Sequence, residues 1–192
     1  MIPTTPVVVK DGIANPAPLG LCAFGMTTIL LNFSNAGFFE LNAMILSMGI
    51  FYGGLAQVIA GIISAKKNNT FSLTAFTSYG FFWLSLVGIS AIPKFGWAPA
   101  ASGSAMGAYL IMWGIFTCCL FFGTLKLNRI LQVVFGSATI LFLLLGVANF
   151  TGNSSIGKLG GYEGIFCGVS AFYAGIAYVL KEVYNKTMLP IG

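Results

Sequence analysis

Residues 130–150 read ILQVVFGSATILFLLLGVANF, 21 positions without one charged side chain, between Arg129 and a polar turn. About 20 apolar residues in a helix cross a hydrocarbon core of about 30 Å, so this stretch alone is long enough to span a bilayer. Uncharged stretches of the same kind recur at Leu19 to Phe39, Ala43 to Ala65, Phe71 to Ile92, Ala105 to Leu125 and Gly164 to Leu180. The last is the shortest, and an interfacial first turn within Gly160 to Glu163 lengthens it to 162–180. In hydrocarbon every backbone N–H and C=O must pair within the structure, and the short alternating strands of a barrel are absent, which leaves helices. The fold class that follows is an all-α integral membrane protein with six transmembrane helices. The approximate spans are 19–39, 43–65, 71–92, 105–125, 130–150 and 162–180.

Composition agrees, because 57% of the 192 residues are hydrophobic and 7% charged, where soluble domains carry about 25% charge. Lys10, Lys66, Lys67, Lys126, Arg129, Lys181 and Lys186 fall in the N-terminal segment, the even loops and the tail, and only Lys94 and Lys158 in the odd loops. The positive-inside bias then puts both termini in the cytoplasm, as an even number of spans requires. The same asymmetry accounts for the net charge of +5 without nucleic acid. The first span is too long for a removable targeting peptide and is expected to stay. The organisation is a cytoplasmic segment 1–18, a membrane domain 19–183 that leaves no room for a second domain, and a cytoplasmic tail 184–192.

There is no histidine, and Cys22, Cys118, Cys119 and Cys167 sit in apolar stretches without metal-ligand spacing. Such cysteines pack as small apolar side chains; no metal or cofactor is expected. A Ser or Cys nucleophile would lack a base, so enzymes are disfavoured. Gly152, Gly157 and Lys158 imitate a phosphate loop but are followed by Leu159, not the hydroxyl that would hold magnesium, and the loop follows a membrane helix rather than a strand. Glycine pairs such as Gly49 and Gly53, Gly164 and Gly168, and Gly168 and Gly175 have the spacing by which membrane helices approach closely, within one chain or between subunits.

The segment Asn15-Pro-Ala-Pro-Leu-Gly-Leu21 reads as a helix start, with Asn15 as N-cap and Pro16 and Pro18 in the first turn, where a missing N–H costs nothing. Helix N-termini attract anions, although two prolines remove donors here. Polar groups inside the spans are neutral, among them Thr27, Thr28, Asn32, Gln57, Tyr79, Thr117, Thr139 and Asn149. A single hydroxyl is readily satisfied by a carbonyl one turn back. Buried amides cost more when unpaired, which makes Asn32, Gln57 and Asn149 better candidates for lining a wet path. Glu40 and Glu163 stand at span ends as interfacial carboxylates. No acidic side chain lies mid-span to repel an anion.

Asn15 to Leu21 (Asn15, Pro16, Pro18, Leu19, Gly20 and Leu21), followed by Phe24 and Thr27-Thr28, resembles the N-terminal signature of the acetate uptake transporters, the YaaH/SatP group. Phe51-Tyr-Gly-Gly54 with Gln57, Asn69-Thr-Phe71, Thr74-Ala-Phe-Thr-Ser-Tyr-Gly80 with Trp83, Phe121-Phe-Gly-Thr-Leu-Lys126 and Leu189-Pro-Ile-Gly192 extend the resemblance over nearly the whole chain. It implies a six-helix protomer with its own pathway, assembled as a homo-hexamer in a prokaryotic plasma membrane and carrying acetate, sometimes succinate or other short acids. It also implies a constriction of Phe24, Tyr79 and Ala138. Ala138 stands where the family has a bulky aliphatic residue, from which a somewhat wider gate is expected. Asn15, Thr27, Thr28, Asn32, Gln57, Thr139 and Asn149 are the expected path residues.

Moving one negative charge inward against 100 mV costs about 2.3 kcal/mol. Proton symport would cancel that charge, yet the chain offers no relay residue of the usual kinds, so the substrate carries its own proton or water and Tyr79 form the route. The alternatives are an uncoupled acetate or small-anion channel, a formate, nitrite or ammonium channel, a membrane-embedded enzyme, and an accessory subunit without flux.

Overall fold

The structure, a computed structural model, describes residues 12–192, so Lys10 and most of segment 1–18 lie outside the described residues. Six helices are long and apolar enough to cross a membrane: α1 Ala17–Ala36, α2 Ala43–Lys66, α3 Thr70–Phe95, α4 Gly103–Thr124, α5 Arg129–Thr151 and α6 Ser154–Tyr184. No strand occurs among the described residues.

Asparagine begins most of these helices. The side chains of Asn42, Asn69, Asn128 and Asn153 accept first-turn N–H groups of α2, α3, α5 and α6, and Ser102 does so for α4. Each meets donors that have no carbonyl partner within their own helix. At α1 the expectation needs a correction. Pro16 occupies the cap position itself, while Asn15, one residue earlier, accepts the Ala17 N–H at 3.1 Å. Proline at the cap has no N–H to lose, and the asparagine reaches past it.

The sixth span is also longer than its uncharged core. Its 31 residues make α6 the longest helix, and 151–161 is mostly helix instead of a polar connection. Gly152, at φ 66°, ends α5, and Asn153 caps α6 at once. Polar residues in the first turns of a helix are then interfacial, and charge-free length underestimates the span.

Helix α1 packs along α6, α5 lies between α4 and α6, and α2 lies against α3. The α1–α6 seam is made by glycine. A Cβ on Gly25 would lie 2.6 Å from the Gly168 carbonyl oxygen, and one on Gly161 would lie 2.3 Å from the Ala36 nitrogen. Gly164, Gly168 and Gly175 likewise face α1, so their packing is within the chain. Close backbone contact substitutes here for the weak hydrophobic drive between membrane helices.

Helix α2 is π-helical from Gly49 to Ala56. The wider turn offsets the drift that an α-helix gives to residues four apart, so Ile45, Gly49, Gly53 and Gln57 stay on one buried line. Both described ends lie at one end of the bundle: Asn15 donates to Glu182 at 2.8 Å and Lys67 to the Ile13 carbonyl at 2.8 Å. At the opposite end, Phe95 and Trp97 are exposed with their rings 5.4 Å apart, as suits side chains at a membrane–water boundary.

Candidate functional site: a path pinched beside Phe24

Two cavities lie along the bundle, and Phe24 lines both. The larger, of about 250 Å³, opens toward the end away from the chain termini and is walled by α1, α2, α3, α4 and α5. Its polar lining comes from Thr28, Asn32, Asn35, Ser90 and Asn149, set among Phe82, Trp83, Leu110 and Phe142. Beyond Phe24 lies the smaller cavity, of about 20 Å³, lined by Leu21, Gln57, Ala75, Phe76, Tyr79, Val134, Phe135 and Ala138. Room for one methyl-sized group follows one vestibule.

The pinch is aromatic. The Phe24 and Tyr79 rings are 5.5 Å apart, and Phe135 stands 6.1 Å from Tyr79. Phe24, Tyr79 and Ala138 are 6%, 4% and 2% exposed, so three helices bring these residues to one level. Phe135, one turn before Ala138, shares the small cavity and supplies bulk that the alanine does not. The Tyr79 hydroxyl is turned toward α4, where it donates to Thr117 Oγ1 at 2.9 Å, and Thr117 in turn donates to the Trp113 carbonyl.

The vestibule amides are held on α1 and α5. Asn32 Nδ2 donates to the Thr28 carbonyl at 2.9 Å while its Oδ1 accepts from Asn35, and Asn149 Nδ2 donates to the Leu145 carbonyl. Asn32 fits because position 164 is glycine: a Cβ there would lie 2.1 Å from the amide carbon. Among the expected path residues, Thr28, Asn32 and Asn149 line the vestibule and Gln57 the small cavity. Thr27 is wholly buried and lines neither, and Thr139 bonds back to the Phe135 carbonyl at 2.8 Å. Asn15 departs from the path. It sits on an outer groove with Tyr178, Lys181 and Glu182, because its amide is committed to Glu182 and to the start of α1.

Phe82, Phe135, Phe142 and Asn35 belong to this lining without having been singled out by sequence. Only Asn35 carried a signal, an amide one turn from Asn32; the phenylalanines are indistinguishable from those facing lipid. Among the described residues no three His, Cys, Asp or Glu side chains come together.

Six apolar spans around a path that narrows from a polar-lined vestibule to an aromatic pinch define a small multi-pass membrane protein of the transporter and channel kind. The chain belongs to the GPR1/FUN34/yaaH family, which matches residues 1–190. It is 56% identical over 180 residues to the succinate-acetate/proton symporter SatP of Escherichia coli (strain K12), covering 94% of this chain and 96% of that one. It is 41% identical to ammonia transport outward protein 2 of Saccharomyces cerevisiae, over 85% of this chain and 62% of that one. A solved structure of the bacterial acetate channel SatP superimposes with a TM-score of 0.92 at 56% identity, covering 93% of this chain and 99% of that chain. The fold and these relatives make it a multi-pass plasma-membrane protein.

Proposed function

We propose that this protein carries acetate, and other short acids of similar width, across the plasma membrane along the path beside Phe24. The observation that supports this best is the change in size and polarity along the path. A vestibule of about 250 Å³ with amide groups suits a hydrated carboxylate, and a cavity of about 20 Å³ between rings suits its methyl group alone. Phe24, Tyr79 and Ala138 form the constriction in this reading, with Thr28, Asn32, Asn149 and Gln57 as polar groups of the path. The 56% identical relative is named a symporter of succinate, acetate and protons, which supports the same substrate class.

Proton coupling here rests on the substrate. The residues lining the two cavities include no His, Asp or Glu, and the Tyr79 hydroxyl is engaged by Thr117. The acid therefore crosses the pinch with its own proton, and uptake rises as pH falls toward the carboxylic acid range. A second reading, an uncoupled channel, is favoured by the description of the solved relative as an acetate channel. Both termini are cytoplasmic in this proposal, because Lys66, Lys67, Lys126, Arg129, Lys181 and Lys186 cluster toward their end of the bundle. The assembly is a homo-hexamer, to be checked by native mass spectrometry.

Labelled acetate uptake into liposomes containing the purified protein, with and without an inward proton gradient, separates the readings. Accumulation only with the gradient supports the coupled carrier, and equilibration regardless of it supports the channel. Absence of flux would sink both.

A further inference from the structure

One backbone hydrogen bond outside the helices joins residues far apart in the chain: the Ile130 N–H donates to the Ile191 carbonyl at 3.0 Å. Ile130 stands in the first turn of α5, where N–H groups have no carbonyl partner within their own helix. Asn128 accepts the Leu131 N–H of the same turn at 3.1 Å. The start of α5 is therefore held twice, once by the residue before it and once from position 191.

The length of α6 makes the second hold possible. Asn128 donates to the Tyr178 hydroxyl, which sets the start of α5 level with Tyr178. Helix α6 runs on to Tyr184, and Asn185, left-handed at φ 52°, turns the chain. The residues that follow come back along the helix, and the Tyr173 hydroxyl donates to the Pro190 carbonyl, 17 positions further on, at 2.9 Å. Gly192 then lies on Arg129, where a Cβ would come 2.6 Å from the arginine Cβ. Pro190 fixes its own φ, so the returning segment has fewer conformations to lose when it docks.

What this segment holds borders the path. Ile130, Val134 and Ala138 recur on one face of α5, and Val134 and Ala138 line the small cavity with Phe135. Ile130 and Leu131 pack on the buried cluster of Leu21, Ala60, Phe76 and Ala174, from which Leu21 and Phe76 also line the small cavity. Close-packed walls register a change of even one methylene, so the seat of α5 bears directly on a space of about 20 Å³.

We infer that residues 185–192 form a strap that seats the first turn of α5, and that Tyr173 and Ile191 are positioning residues for the size limit of the small cavity. Neither lines a cavity; both act through Ile130 on Val134, Phe135 and Ala138. With the strap released, the first turn of α5 frays and this wall relaxes outward. The role in size selection rests on the transport reading above; the strap itself does not.

The test compares the native protein with Tyr173→Phe, which withdraws one hydrogen bond, and with a chain shortened to Met188, which withdraws the strap. The readouts are hydrogen exchange at the Ile130 amide, by mass spectrometry with residue-level fragmentation, and the ratio of labelled butyrate to acetate uptake in liposomes. Exchange at Ile130 is expected to be about fivefold faster in Tyr173→Phe, the worth of one hydrogen bond, and faster still in the shortened chain. The butyrate-to-acetate ratio rises in both, by about tenfold in the shortened chain, which is the discrimination one methylene commands in a close-fitting pocket. Unchanged exchange at Ile130 in the shortened chain overturns the strap. Faster exchange with an unchanged ratio overturns the positioning role, since a segment that merely stabilised α5 would lower Tm and leave size selection alone. Should the shortened chain not fold, Tyr173→Phe decides on the same two readouts. A native protein whose Ile130 amide depends on the strap but which carries no acetate leaves the strap standing and overturns the transport reading instead.

Discussion

The two sides of the bundle are held together by opposite means. Along the α1–α6 seam, Gly25, Gly161 and Gly168 let backbones touch, while Gly164 and Gly175 make room for the Asn32 and Cys22 side chains, so little side-chain bulk separates the two helices. Between α3 and α4 the backbones stay apart and large rings fill the space: Phe82 stacks on Tyr109 at 5.8 Å and meets Trp113 at 5.2 Å, and Tyr79 lies 6.2 Å from Trp113. Hydrogen bonds from Tyr79 to Thr117 and from Tyr109 to the Phe82 carbonyl tie this face together. Phe24 projects from the rigid seam and Tyr79 from the ring-filled face. A pinch built this way has one fixed jaw and one jaw whose position depends on side-chain packing, where rotamer changes cost far less than moving a helix.

The sharpest way to break that contrast is to add bulk to the seam. Gly161→Val places a side chain where the Ala36 nitrogen and the Asn35 carbonyl carbon already lie 2.3 and 2.7 Å from a Cβ. Both obstacles are backbone, so the helices must separate. The expected outcome is loss of monodisperse folded protein on size-exclusion chromatography in detergent.

Phe24→Ala removes the moving face's counterpart without touching the seam. Truncating a buried phenylalanine costs about 3–5 kcal/mol, and joining the two cavities should admit wider acids. The measurement is uptake of labelled butyrate relative to acetate, which rises in this variant; an unchanged ratio would move the size limit away from Phe24. Ala138→Leu acts in the opposite sense, by filling the cavity of about 20 Å³ beside Phe135. Acetate uptake is expected to fall, and that of wider acids to fall further, in the same assay.

The smallest effect is expected from Thr117→Val, which leaves Tyr79 in place and withdraws the acceptor of its hydroxyl. One such bond is worth about 1 kcal/mol net, so a modest drop in Tm should accompany a fold that circular dichroism reads as unchanged. An acetate pH profile that shifts in this variant would mean that Tyr79, and not the substrate alone, takes part in proton movement.

Much of this architecture is written locally. A charge-free run of about 20 residues needs a helix wherever it enters hydrocarbon, and an asparagine before it meets the free N–H groups of the first turn, so span number and most boundaries follow from neighbours in the chain. The sixth span shows where that reasoning stops, since its interfacial turns, residues 154–163, carry Lys158 and Glu163 and are helical all the same. The family signature likewise named Phe24, Tyr79 and Ala138 without knowing how they meet.

What tertiary structure alone decided is which side of each helix faces the path. In a membrane span every face is apolar, so periodicity cannot distinguish Phe135 in the small cavity from Phe122 on the outer surface. Asn15 carried the same amide as Asn32 and ended at the outer groove, because the choice depends on Glu182, 167 residues away. The packing of Thr27 with Trp83 over Gly53 is of that kind too: three helices must close before a threonine methyl, an indole ring and a bare Cα meet.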